Sequence, residues 1–169
     1  GETYVSWNWK AGGSASSNSD GGITSSVSAN TTAGFSIVSY TGTGSAATVG
    51  HGLGVKPKVM IVKNRDATEN WMTYHEEIDA TAPEDYYILI NLTNARVDES
   101  TVWNDTAPAA SVFTVGTHDA SNKSSDKYIA YCFAEKKGYS KFGSYTGNGS
   151  SSDGTFVYTG FRPAWLLIK

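Results

Sequence analysis

The hexapeptide SYTGTG at Ser39–Gly44 returns as SYTGNG at Ser144–Gly149. A chain that repeats a turn-rich motif is built from related units, and that constrains its fold more than any other feature. The echo runs well beyond the hexapeptide. LGVKPKVMIVK, ending at Lys63, matches TGFRPAWLLIK, ending at Lys169, with Pro57 at Pro163 and Lys63 at Lys169. ETYVSWNWK from Glu2 matches DKYIAYCFA from Asp126, placing Tyr4 on Tyr128, Val5 on Ile129, Trp7 on Tyr131 and Trp9 on Phe133. Each copy reads aromatic strand, spacer, YTG strand, Pro-led apolar strand. The first spacer is lengthened by the tract GGSASSNSDGGITSSVSANT.

Two organisations satisfy this pattern. In one, the chain is a segment of a tandem array. Residues 1–33 are then an aromatic strand plus a Gly/Ser/Asn-rich spacer completing a preceding repeat, 34–137 a central β-sandwich repeat, and 138–169 the start of a second repeat. In the other, the chain is one sandwich with two related halves, and 138–169 is its closing half.

Strand signals dominate. TYVSWNW alternates, with Val5, Trp7 and Trp9 on one face and Tyr4, Ser6 and Asn8 on the other, as a half-buried strand does. FSIVSYTG, KVMIVKNR, NWMTYHEEI, DYYILINLT, SVFTVGT and KYIAYCFAE follow, and YSKFGSYTG restarts the second copy after an EKKG turn. ITSSVSA reads as a short edge strand or as part of a linker. DYYILINL is apolar on both parities, which predicts a central strand covered on both faces. One helical turn is expected at most, around APED. Strands at this spacing with Gly-rich turns predict an all-β, antiparallel β-sandwich of jelly-roll form. Gly42, Gly44, Gly147 and Gly149 are expected at tight turns, some of them left-handed. The matched pairs Trp7/Tyr131, Trp9/Phe133, Val59/Trp165 and Ile61/Leu167 are expected in the core, each burial contributing about 1.5–3 kcal/mol.

Charged residues make up only 17% of the 169 residues and the net charge is −3, so no basic footprint points to nucleic acid. No apolar run approaches the ~18 residues that a membrane-spanning helix needs. The single Cys132 lies in a strand, as a buried structural thiol.

Among candidate functional residues, Trp71, Thr73 and His75 share one face of WMTYHEE, an arrangement suited to a sugar platform or, through His75, to a metal ligand; a satisfied, half-buried histidine under a loop is the simpler reading. Trp103, in TVWNDTAP, is flanked by loop-forming residues and is the tryptophan expected to reach solvent, where an indole offers a flat apolar face. Trp71, His75 and Trp103 are therefore the ligand-binding candidates. Glu76, Glu77, Asp79, Glu84 and Asp85 form an acidic cluster, the one place where calcium would find several oxygen ligands; its spacing matches no EF-hand loop, and a solvated charge cluster is the simpler reading. No other cofactor is expected. Paired carboxylates also serve glycoside hydrolysis, but no nucleophile elbow or phosphate loop accompanies them, and no catalytic residue is assigned. His51, in GHGLG, reads as a turn residue, its counterpart in the second copy being Val157, and His118 as a loop residue.

YVSWNWKAGG, SANTTAGFSIVSYTGTG, TVGHGLGVKPKVMIVKNRD, WNDTAPAASVFTVG and YCFAEKKGYSKFGSYTGNG together resemble a domain of unknown function found in tandem in structural and tail-fibre-like proteins of marine phages, including those infecting cyanobacteria. The resemblance covers nearly the whole chain. It implies a concanavalin- or laminin-G-like jelly roll, a place in the virion, and a non-enzymatic structural role in a fibre or surface appendage that takes part in host attachment. A lectin-like module for host surface polysaccharide is the alternative, and a polysaccharide depolymerase the third. The partners implied are further copies of the chain in a homo-oligomer, other virion proteins, or a host glycan. The strand AWLLI at Ala164–Ile168 is expected to need cover. The segment 1–10 would close it within the chain, or a neighbouring subunit would do so by strand complementation, which the fibre resemblance favours.

Overall fold

The computed structural model describes residues 3, 4 and 6–169. Its framework is ten strands: β1 (Ser16–Asn18), β2 (Ser25–Asn30), β3 (Phe35–Thr41), β4 (Ala47–Gly50), β5 (Val59–Asn64), β6 (Met72–His75), β7 (Tyr86–Leu89), β8 (Val97–Asp98), β9 (Val112–Val115) and β10 (Lys127–Phe133). Eight form one antiparallel sheet in the order β1-β2-β3-β10-β5-β6-β7-β8, and β4 pairs with β9 in a second, small sheet. The all-β sandwich expected from the strand pattern is what the chain forms. A 3-10 turn at Pro83–Asp85 falls in APED, where one helical turn was expected. Two four-residue helices, α1 (Ser100–Trp103) and α2 (Asp119–Asn122), were not foreseen.

The centre of the large sheet is β3-β10-β5. Tyr128 of β10 faces Tyr40 of β3 and Asn64 of β5, Ala130 faces Val38 and Val62, and Cys132 faces Ser36 and Met60. All these side chains are buried. They meet Val49 of β4, Phe113 and Val115 of β9, and Val102 and Trp103 of α1, and so make the core. Cys132 is a buried thiol, as expected, and burial pushes its pKa up to about 12. The loop end of the sandwich is held by satisfied polar groups. The Asn122 amide donates to Ser45 and Gly116 carbonyls (2.7 and 2.6 Å) and accepts from the Thr43 N–H. The Tyr40 hydroxyl donates to the Ser121 carbonyl at 2.6 Å.

Several expectations are corrected. The tract around ITSSVSA is no linker and no edge: β2 lies between β1 and β3 in the large sheet. DYYILINL yields only β7, next to the sheet's edge, with Leu89 alone buried. Its half-buried tyrosines have local roles, Tyr87 packing on the core beside Leu89 and Tyr86 lying under the Arg96 guanidinium, 4.3 Å from its ring centroid. Of the pairs expected in the core, Val59 is buried, but Tyr131, Phe133 and Ile61 are half-buried, and Trp7, Trp165 and Leu167 are 60%, 44% and 48% exposed. The physical reason is the choice of face on β10. The small Ala130 and Cys132 let the second layer approach, so the bulky Ile129, Tyr131 and Phe133 point to the opposite side of the sheet. Residues 138–169 form no strand: YSKFGSYTG and AWLLI are irregular and largely exposed.

Candidate functional site

The side of the large sheet away from the core carries the surface most able to bind something. Phe35 and Phe133 face each other across β3 and β10 with ring centroids 4.9 Å apart. Trp9 rests on both, at 6.2 and 5.7 Å, and Trp165 meets Trp9 edge-on at 5.1 Å. Trp7 adds a second edge contact to Trp165 at 5.9 Å, and Phe142 lies 6.1 Å from Phe133. Two irregular segments, 6–13 and 138–169, thus lie against this face through aromatic side chains. The first is tied down at one end. Asn30 Nδ2 donates to the Lys10 carbonyl (3.1 Å), Ser28 Oγ donates to the Gly13 carbonyl (2.7 Å), and Gly12 sits so close to Ala29 that a Cβ there would lie 2.0 Å from its carbonyl oxygen.

Trp71 and His75 do sit on this same face, with Thr73 buried between them. Trp71 is half-buried and stacks on Tyr131 (6.4 Å, 14° between planes). His75 is also half-buried, and its Nδ1 accepts the Glu77 N–H at 3.0 Å. His51 and His118 make the same bond two residues ahead, to the Leu53 and Ala120 N–H groups. Each histidine fastens its own loop. His51 is fully buried, with Nε2 donating to the Ala109 carbonyl at 3.2 Å, so the neutral ring is satisfied at both nitrogens. Burial lowers the pKa of His51 and of His75.

Trp103 is not where its neighbours in the sequence place it. It is 1% exposed, Nε1 donates to the Tyr86 carbonyl (3.2 Å), and its ring meets Tyr74 edge-on at 6.4 Å. The loop-forming residues around it build a short helix rather than an open loop. Glu99 caps it by accepting from the Thr101 N–H, and Asn104 ends it with φ 56°, turning the indole inward. The expectation that it reaches solvent is therefore corrected.

The acidic residues are largely engaged. Glu76 pairs with Lys56 (3.1 Å) and Lys58. Asp79 accepts from the Thr81 N–H, the Ala82 N–H and the Thr81 hydroxyl, and pairs with Arg96 at 2.8 Å. Those bonds hold its carboxyl well below the usual range. Glu84 and Asp85 lie in the 3-10 turn, where desolvation, then the charges of Asp105 and Asp98, push the Asp85 pKa up. Glu77 is exposed. Among the described residues no three His, Cys, Asp or Glu side chains converge as a metal site.

A family profile described as a domain of unknown function, DUF7483, matches residues 1–169. The chain belongs to the DUF7483 family. No curated protein and no solved structure matches it. Sequence reasoning about this DUF7483 domain missed two things. One is the aromatic face itself, signalled by Phe35 and Phe133 falling on strands whose other face is also apolar. The other is a conformational echo. Gly34 and Gly138 have φ 70° and 76°, Gly44 and Gly149 73° and 71°, Gly54 and Gly160 72° and 80°. Gly42 and Gly147, expected in the same turns, are not left-handed.

Proposed function

We propose that this domain is a non-catalytic structural module of a phage virion fibre or surface appendage, engaged in host attachment and in assembly with further copies of itself. The observation that carries the reading is the state of segments 3–9 and 138–169. They have the apolar composition of strands, yet among their described residues none lies in a strand, Ser140 alone making an isolated bridge to Lys136, and Tyr4, Trp7, Tyr139, Tyr158, Leu166 and Ile168 are exposed on them. Exposed apolar surface of this kind marks contact with another macromolecule. The motif resemblance supplies the setting. Light scattering on the purified chain, with antibody labelling of virions that encode it, tests the reading. Assembly beyond a monomer at micromolar concentration and labelled appendages are expected, and a soluble monomer absent from virions would overturn it.

A second reading, a glycan-binding module for host polysaccharide, is favoured by one observation, the Trp71–Tyr131 stack beside His75 on the aromatic face. Calorimetric titration with host surface polysaccharide decides it: heat of binding lost in Trp71→Ala supports it, and no heat with the native chain removes it.

A further inference from the structure

The outward side of the large sheet changes character along its strands. One end is aromatic, through Phe35, Phe133 and Trp9. The other end carries hydroxyl groups. Ser17 of β1 faces Ser26 of β2, and Ser26 faces Ser39 of β3. Facing residues of an antiparallel sheet share a side, with Cβ atoms about 4.5–5.5 Å apart, so these serines form a row across three strands. Two residues further along, at roughly 6–7 Å, Thr41 faces Lys127, and the Arg65 N–H donates to the Lys127 carbonyl at 2.8 Å. The serine row, Thr24, Thr41, Lys127 and Arg65 line one groove of about 410 Å³.

These groups are left unused by the rest of the domain. Ser25 and Ser28, on the same strand, donate to the Gly50 and Gly13 carbonyls at 2.8 and 2.7 Å. By contrast, the hydroxyls of Ser17, Thr24, Ser26, Ser39 and Thr41 make no hydrogen bond to a described residue. Charge shows the same contrast. Lys56 and Lys58 pair with Glu76, Arg96 with Asp79 and Lys141 with Glu135, and the Asn64 and Ala67 carbonyls hold Lys63 Nζ. The side chains of Arg65 and Lys127 form no ion pair among the described residues, in a chain of net charge −3. The carboxylates beside them are engaged: Asp66 accepts the Lys127 N–H and Asp126 accepts the Asn64 amide, both at 2.8 Å.

We infer that this groove binds an acidic polysaccharide, one whose sugar rings carry carboxylate or sulfate groups. The inference rests on the glycan-binding reading given above and adds to it a ligand class and a site. A serine or threonine hydroxyl both donates and accepts, as a sugar hydroxyl does. The guanidinium fork matches a carboxylate or sulfate with two parallel bonds, and the ammonium supplies a second positive charge. A polymer fits better than a single ion. The serine row runs on through Ile129 and Lys63, which face each other, and the register of β5 with β6 sets Trp71 beside Lys63. A chain lying across the strands from the groove therefore meets the Trp71–Tyr131 stack. Nucleic acid fits worse, because single-stranded bases are held by stacking on aromatic rings. The groove's own tyrosines, Tyr40 and Tyr128, are buried and stacked on each other at 5.1 Å.

Calorimetric titration of the native chain with alginate, dextran sulfate and neutral dextran tests the inference. Heat is expected with alginate, with dextran sulfate or with both, which tells carboxylate from sulfate recognition, and none with dextran. Arg65→Gln/Lys127→Gln is expected to weaken binding by about tenfold or more, as loss of charge-assisted hydrogen bonds does, and Ser26→Ala/Ser39→Ala by a smaller factor. Lys10→Ala/Lys137→Ala removes the same charge from exposed positions outside the groove and is expected to leave binding unchanged. No heat with either acidic polymer, equal heat with dextran, or equal losses in the two cation-removing variants would each overturn the inference. Host polysaccharide that still binds Arg65→Gln/Lys127→Gln but not Trp71→Ala also overturns it, while the glycan-binding reading stands; no heat with any polysaccharide fails both. Should the groove variants misfold, rising salt on the native chain serves instead. Screening should weaken binding of the acidic polymers, and salt-insensitive binding overturns the inference.

Discussion

Replacing Trp103 by alanine separates the sequence expectation from the structure. An indole buries about 150–250 Å², which at about 25 cal/mol per Å² amounts to about 4–6 kcal/mol. Measured Trp-to-Ala losses in cores run about 3–5 kcal/mol. Trp103 is fully enclosed, with Tyr74 against its edge and Nε1 bonded to the Tyr86 carbonyl, so a loss near 4 kcal/mol is expected. Domains are stable by only about 5–15 kcal/mol, and with a urea dependence of about 2 kcal/mol per molar the midpoint falls by about 2 M. Trp103→Phe keeps much of the apolar contact but deprives the Tyr86 carbonyl of its donor, for a smaller loss of about 1–3 kcal/mol. Urea unfolding followed by far-ultraviolet circular dichroism measures both, independently of the lost fluorophore. An alanine variant within about 0.5 kcal/mol of the native chain, as at an exposed site, would refute the burial of Trp103 and restore it as a surface platform.

Two further outcomes follow from the repeat and from the histidines. At Gly42 a Cβ would lie 2.2 Å from the Lys123 carbonyl oxygen, whereas its counterpart Gly147 has nothing within 4 Å; Gly42→Ala should cost about 1–3 kcal/mol and Gly147→Ala less than about 0.5 kcal/mol, and equal costs in urea titrations would contradict the difference between the two copies. His51 and His75 have pKa values lowered by burial, so below the ordinary histidine value of about 6.5 the unfolded chain binds protons that the folded chain refuses. Stability is then fully present above that pH and declines as the pH falls through 6.5 toward the folded values; the urea midpoint should drop between pH 7.5 and 5, less so in His51→Asn, and a midpoint rising on acidification over that window would contradict the sign.

Much of the fold was legible because it is written in local chemistry. Alternation marked β3, β5, β9 and β10, the APED turn was anticipated, and left-handed Gly44 and Gly149 sit where T-G-x-G placed them. Trp71 and His75 do share a face with half-buried character. The internal echo was plain in the sequence, and the backbone repeats it at three glycine pairs, because a turn needs only its own few residues to adopt its φ and ψ.

Tertiary structure alone decided the rest. Both faces of β10 are apolar, so alternation by itself does not say which is inward; Ala130 and Cys132 face the core because β4, β9 and α1 pack there. Trp103 is surrounded by turn formers, and its burial depends on a four-residue helix landing under β9. Most of all, GFSIVSYTG and GYSKFGSYTG are near copies, yet one is a central strand and the other is irregular. A strand is stable only when its N–H and C=O groups find a partner along both edges or reach water, and that partner is far away in sequence. β3 has β2 and β10 beside it; among the described residues no strand lies beside 139–146.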